Sequence, residues 1–336
     1  MQKRDLSIDA TRGIALFLVA LSHAHHITHY LTAYYIMCFF LLSGFLYKPG
    51  NSYGLNVRKK AKRVLFPYFI NSLILLLFYG ITKSFDFKQV YDSLLGIVYS
   101  RSYIHLSSQE LPIMGSIANT PLWYLTAFFA TSLLFHLIVD NYTDKIRHTI
   151  LLSLVLISVS IILCHVPILL PWSIDMVPFF CILMIAGYLA KKINYNLDLS
   201  ITSTLIFLTA YVLCVHETGS INLSIRNMGW GGLFSALVIG ILGTVVSISL
   251  CKKKIFAVLL PFFIKVGTNT IVVLSFHLAF IGFYRNLFSK FLPLIVDAVE
   301  ESFIYDLSIV MLAILTCLVM GSIMDTIKSR FSIKQK

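Results

Sequence analysis

The sequence predicts an all-α, polytopic integral membrane protein of about ten transmembrane helices, with both termini in the cytoplasm. Three observations predict it. Apolar runs of 17 to 22 residues recur along nearly the whole 336-residue chain, each long enough to cross ~30 Å of hydrocarbon as a helix. Hydrophobic residues make up 58% of the chain and charged ones 12%, with a mean hydropathy of +0.84, which excludes an ordinary soluble domain. The cations also alternate from loop to loop as the positive-inside rule demands.

The spans are placed at residues 8–27, 30–46, 64–81, 122–139, 150–170, 174–190, 199–215, 229–250, 264–283 and 304–324. Nineteen of the 27 lysines and arginines then fall on the side of the termini and six on the other, while Arg12 and Lys265 lie inside spans. An odd number of spans would scramble that alternation, so the charge pattern checks the span count. The net charge of +12 is accordingly a topology signal rather than a nucleic-acid-binding surface. The first run carries Arg12, lacks a small-x-small cleavage site and leads straight into the second, so it reads as a span and not as a cleaved leader.

Most connections are short. The exception is 84–121, on the external side, which includes an amphipathic piece at Phe87–Tyr99 and reads equally as a lid or as a plain connector. In the eighth span Gly232, Ala236 and Gly240 recur at four-residue spacing, a pattern that lets helices approach closely. The six cysteines form no CxxC pair and sit in or beside apolar runs, so neither a disulfide framework nor a zinc site is expected. His25, His26 and His29 lie together without a carboxylate close by in sequence, and no metal site is assigned to them. Asp175, near the external end of the sixth span, reads as a solvated residue. No internal repeat, Walker loop or HExxH motif is present. Only about a dozen polar residues follow the last span, so a single domain over 1–336 with no appended soluble domain is expected.

The chemistry-bearing residues begin in `IDATRGIALFLVALSH`. Arg12 and His23 are eleven positions apart, which on a helix is three turns plus roughly 20°, so they share one face at a separation of ~17 Å. Asp9 precedes Arg12 by three residues and can pair with it across one turn. Singly, Arg12 reads as a snorkelling cation and His23 as a histidine bonded to a neighbouring helix. Together on one face they read as the lining of a cavity or pathway. The second span then contains `FFLLSG`, Phe39 to Gly44, and a cytoplasmic basic loop, `RKKAKR`, is expected before the third, with Arg58, Lys60 and Arg63 ahead of Pro67 in `RKKAKRVLFPYF`. Further along stand `PLWYL` at 121–125 with Trp123, `IDMVPFF` at 174–180, and `VGTNTIVVLSFHLAF` at 266–280 with Ser275 and His277.

In this order and spacing the motifs resemble those of the acyltransferase 3 family of bacterial membrane acyltransferases, over residues 5 to about 325. The family pattern of Asp, Arg, ten residues and His falls on Asp9, Arg12 and His23. Its aromatic Ser-Gly motif falls on Phe39, Phe40, Ser43 and Gly44, and its basic pair on Lys60 and Arg63. Lys60 stands where the family commonly has arginine, which keeps the charge but not the planar fork.

The resemblance implies acyl transfer, typically of acetyl, from cytoplasmic acyl-CoA to a hydroxyl of a surface glycan or its lipid-linked precursor. It implies a multi-pass protein of the bacterial cytoplasmic (inner) membrane, as in O-antigen or other polysaccharide O-acetylation. Acetyl-CoA would be a donor substrate and not a resident cofactor. The expected roles are His23 as general base, with a transient acyl-histidine as the variant, Arg12 held by Asp9 to orient the donor, and Lys60, Arg63, Arg58 and Ser43 as acyl-CoA contacts. Phe39, Phe40, Gly44, Trp123, Ser275 and His277 are candidate cavity residues, although a membrane-interface anchor is the commoner reading of Trp123 and a helix–helix hydrogen bond that of Ser275 and His277. Ser43 is also the candidate donor to the developing oxyanion. The other partners expected are membrane lipids, with no nucleic acid.

A second class stays open on the residues themselves: a transporter or flippase for a lipid-linked sugar, with Arg12 and His23 lining its path. A sensor or scaffold explains the buried charges poorly. The other large family of membrane O-acyltransferases lacks the Arg-x10-His helix.

Overall fold

The computed structural model describes residues 5–25, 29–104, 114–116, 120–142, 146–193, 198–219, 229–293, 296, 299 and 302–333. His26 lies outside them. The described chain is helical, with one two-stranded ribbon, β1 Tyr103–Ile104 against β2 Met114–Gly115. The first helices are α1 Leu6–Ala24, α2 His29–Thr32, α3 Tyr35–Phe45 and α4 Tyr53–Lys60; a wide turn at Ala61–Leu65 leads into α5 Phe66–Thr82 and then α6 Phe87–Tyr99. Next come α7 Trp123–Tyr142, α8 Ile146–Cys164, α9 Val177–Lys192, α10 Ile201–Thr218 and α11 Gly229–Cys251. The chain closes with α12 Leu260–Thr268, α13 Thr270–Phe291 and α14 Phe303–Ile333.

Nine helical stretches among the described residues are long and apolar enough to cross a membrane, and the shorter apolar stretch His29–Phe45 stands at the second expected span. This is the all-α polytopic membrane architecture predicted. Helices suit that solvent because every backbone polar group is satisfied within the segment. α8 and α10 turn mostly outward, whereas α1, α7, α9 and α11 form the protein interior.

Local chemistry sets the ends. Asp5 caps α1, its carboxylate accepting from the Ser7 amide at 3.0 Å. α6 begins with a reciprocal capping box, the Gln89 amide donating to Asp86 at 2.7 Å and the Asp86 amide donating to Gln89 at 2.9 Å. That element lies where its amphipathic pattern places it.

Three expectations are corrected. The basic segment is not a loop: α4, the wide turn and α5 run on from Tyr53 to Thr82. Within it the Phe66 amide bonds five residues back, to Ala61. Pro67 supplies a reason, since it has no amide hydrogen and its ring crowds the carbonyl of Arg63, so the helix widens there. The ninth span is not one helix over 264–283, because Asn269 (φ −103°, ψ 26°) separates α12 from α13. Asp175 is not solvated; it is almost fully buried against Arg101.

Two crossings bring backbones into contact. A Cβ at Gly13 would collide with the carbonyl of Phe263, and one at Gly267 with that of Asp9, so α1 and α12 meet with no side-chain layer between them. Gly44 and Gly187 do the same for α3 and α9, against Met184 and Leu41. Ala236 and Gly240 of α11 are buried toward α3, with Gly240 against Met37, so that stripe serves packing.

At the end away from the basic segment, Arg101 donates two bonds to Asp175, at 2.7 and 3.0 Å, and one to the Leu170 carbonyl at 3.2 Å. Beside them Trp172 and Ser173 hold left-handed backbone (φ 55° and 54°), and the Trp172 indole donates to the Val98 carbonyl at 2.9 Å. The 84–121 connection is thereby tied to the start of α9.

Candidate active site

α1 carries the three residues of the first motif. The Arg12 guanidinium stands 3.9 Å from the Asp9 carboxylate, the pairing expected across one turn. Arg12 is only partly exposed, and around it lie Tyr124 of α7, Cys38 of α3 and Arg63 of the wide turn, all within electrostatic reach. Lys60 joins the group, its charge acting with those of both Arg63 and Arg12. Its ammonium stands 4.5 Å from the centroid of the Phe128 ring, a cation–π contact that holds it inward. The first motif and the basic segment, some fifty residues apart, therefore converge on one spot. Three cations meet there, and Asp9 sets one negative charge against them. Such a cluster repels itself until an anion enters. Arg58 is exposed on α4.

Aromatic residues pack beside this cluster. Phe40 stacks on Phe180 with centroids 3.9 Å apart, and Phe39 and Phe40 meet Tyr124 at 5.6 and 5.4 Å. Gly44 lies in the α3–α9 crossing, where nothing larger fits. Ser43 is half-buried on α3, five residues beyond Cys38 toward the basic end, which is about 7 Å on from the level of Arg12 and away from His23. Trp123 is buried at the start of α7.

At the other end of the Arg12 face stands His23. It is exposed even though protein surrounds it on most sides. Its ring centroid is 5.4 Å from that of His277 on α13, with the planes tilted by 34°. His277 is fully buried, its Nδ1 2.8 Å from the Val273 carbonyl oxygen, and its Nε2 has no hydrogen-bond partner. Ser275 is engaged differently: the Asn71 amide of α5 donates to its hydroxyl at 2.8 Å, tying α5 to α13. His25, two residues past His23, binds Asp306 at 2.7 Å, and Arg285 donates to the other oxygen of that carboxylate at 2.5 Å. The structure thus supplies the carboxylate that local sequence lacks, as a hydrogen-bond partner from α14.

Sequence reasoning passed over several residues. Tyr124 and Phe128 lie one turn apart on α7, inside and just past `PLWYL`. His136 is an ionisable group within a span, which was a readable signal. It is buried with its Nδ1 unpartnered, 4.8 Å from the Tyr47 ring, and Lys60 acts on it. The Tyr47 phenol donates to Asp140 at 2.6 Å. Burial, and then that bond, pushes the phenol above its ordinary range.

A family model described as an acyltransferase domain matches residues 5–325. The chain belongs to the acyltransferase 3 family. As an acyltransferase 3 protein it is a multi-pass membrane acyltransferase, and the match takes in every residue of the cation cluster and both histidines. Comparisons with curated proteins and with solved structures found no match.

Proposed function

We propose that this acyltransferase moves an acyl group, acetyl by preference, from cytoplasmic acyl-CoA to a hydroxyl of a surface glycan or its lipid-linked precursor. Its setting is the cytoplasmic (inner) membrane of a bacterium. The observation that carries the reading is the convergence of Arg12, Lys60 and Arg63 at one end of a ~17 Å line that ends at His23. Acyl-CoA is an anionic head on a long thin arm, and it matches such a line end for end. The phosphates meet the cations, with Arg58 and Ser43 at the rim, and the arm runs along α1 toward His23.

At His23 the acceptor hydroxyl attacks the thioester carbonyl carbon while the imidazole takes its proton. The C–S bond then breaks and the same proton goes to the departing thiolate, so His23 ends as it began. Asp9 holds Arg12 on the donor. The position of Ser43, beyond Arg12 from His23, favours a contact with the donor head over the oxyanion role.

The test is a deletion strain restored with wild type or with His23→Ala at matched expression. Alkali-labile O-acetyl on surface polysaccharide is measured by proton NMR, followed by labelled acetyl transfer in isolated membranes. Wild type restoring acetyl and His23→Ala failing is the expected result. Full acetylation with His23→Ala removes His23 from the mechanism. Unchanged acetylation on deletion, with reduced glycan export, replaces the reading by transport.

A further inference from the structure

The buried histidine behind His23 has one nitrogen occupied and one empty, and the chemistry of its partner decides which is which. A carbonyl oxygen only accepts, so the Nδ1 facing Val273 at 2.8 Å carries the hydrogen. A second proton on Nε2 would place an uncompensated charge in a fully buried site. Nε2 is therefore a bare lone pair, shielded from solvent and without a donor. An unpaired buried acceptor costs on the order of 1–3 kcal/mol, so a nearby donor gains by turning toward it.

The near side chain is His23. An N–H···N bond of about 3 Å between two imidazoles sets their centroids roughly 5 Å apart, and these lie at 5.4 Å. At that separation the bond requires only that the His277 Nε2 and one His23 nitrogen face each other.

The geometry points to His277 as the positioning residue of the reaction: its Nε2 accepts the N–H of His23, fixing the His23 tautomer so that the other nitrogen offers its lone pair to the acceptor hydroxyl. His277 neither gains nor loses a proton. When His23 takes the hydroxyl proton, the imidazolium keeps its second N–H on His277, as the orienting carboxylate does in a catalytic triad. The Val273 carbonyl, His277 and His23 form one chain of hydrogen bonds running from backbone to the acceptor hydroxyl. This inference rests on the acyl-transfer reading, and the experiment separates the two.

Purified protein in nanodiscs is prepared with 15N-labelled histidine as wild type, His277→Gln, His277→Ala and His23→Ala, the last assigning the His23 signals. Ring-nitrogen NMR reads the tautomers, and steady-state kinetics with acetyl-CoA reads transfer. We expect one His23 tautomer in wild type, a mixture in His277→Ala, and a kcat loss of about 100-fold or more with KM for acetyl-CoA unchanged. Glutamine, whose amide oxygen can accept the same N–H, should restore part of kcat and the single tautomer. Should His277→Ala fail to fold, wild type and His277→Gln carry the test. A wild-type His23 with mixed tautomers, or tautomer and kcat indifferent to His277, overturns the inference. An inactive wild type with a single, His277-dependent tautomer leaves the hydrogen bond standing and sinks the reading of the reaction instead.

Discussion

Lys60 reaches the face of the Phe128 ring at 4.5 Å, and from there its charge acts on Arg12. An ammonium at the start of a membrane segment would ordinarily turn outward to water, but the aromatic face keeps this one inward.

On the proposed reading, removing Lys60 or Arg63 should weaken donor binding more than the chemistry. A charge-assisted contact contributes about 1.5–3 kcal/mol, so Lys60→Ala and Arg63→Ala should each raise KM for acyl-CoA about tenfold or more, with kcat little changed. Lys60→Arg should recover most of the loss. Titration of purified protein with acetyl-CoA at two salt concentrations checks this, since the loss must shrink as salt screens the cluster.

Arg101 and Asp175 are buried almost completely and share two hydrogen bonds. Breaking such a pair from one side costs about 3–5 kcal/mol, because the partner charge is left behind. Asp175→Asn and Arg101→Met should each lower the thermal midpoint in detergent, and the double variant should be less damaged than the two losses combined. Equal additivity across the cycle would show that the pair is not coupled.

Asp306 holds His25 on one oxygen and Arg285 on the other, joining the far ends of α1, α13 and α14. Asp306→Asn should loosen that junction. Hydrogen exchange of amides at residues 21–25 reports it, and protection there should fall while the Asp5-capped start of α1 stays protected.

Glycine substitutions should divide sharply. Gly13→Ala and Gly267→Ala put a Cβ onto a neighbouring carbonyl, and overpacking of this kind costs about 1–3 kcal/mol or more. Gly80→Ala in α5 meets nothing within 4 Å and should be neutral or slightly stabilising through helix propensity. Expression level and thermal midpoint of the three variants, compared side by side, decide it.

What could be read from the sequence is what repeats locally. The 100° step of a helix puts Arg12 and His23 on one face, and the pattern from Asp86 to Gln89 marks the start of α6. Pairings between distant residues leave no such trace: Arg101 meets Asp175 across 74 positions, and His25 meets Asp306 across 281. The break at Asn269 escapes a hydropathy reading because a single residue scarcely changes the average. The helical basic segment escapes because clustered charge before a proline looks like a loop, although a helix that widens by one residue accommodates a proline. His136 was legible and overlooked.

The bare backbone contact between α1 and α12 has a mechanical consequence. Carriers that alternate between two faces need a seam along which one bundle rocks on another. At Gly13 and Gly267 there is no yielding layer of side chains, so α1 cannot slide past α12 without carrying it along. Arg12 and His23 ride on that same braced rod. On the proposed acyl-transfer reading the rod is a ruler of fixed length: a donor gripped at Arg12 offers His23 the atom ~17 Å further on, and selection between donors becomes a matter of reach.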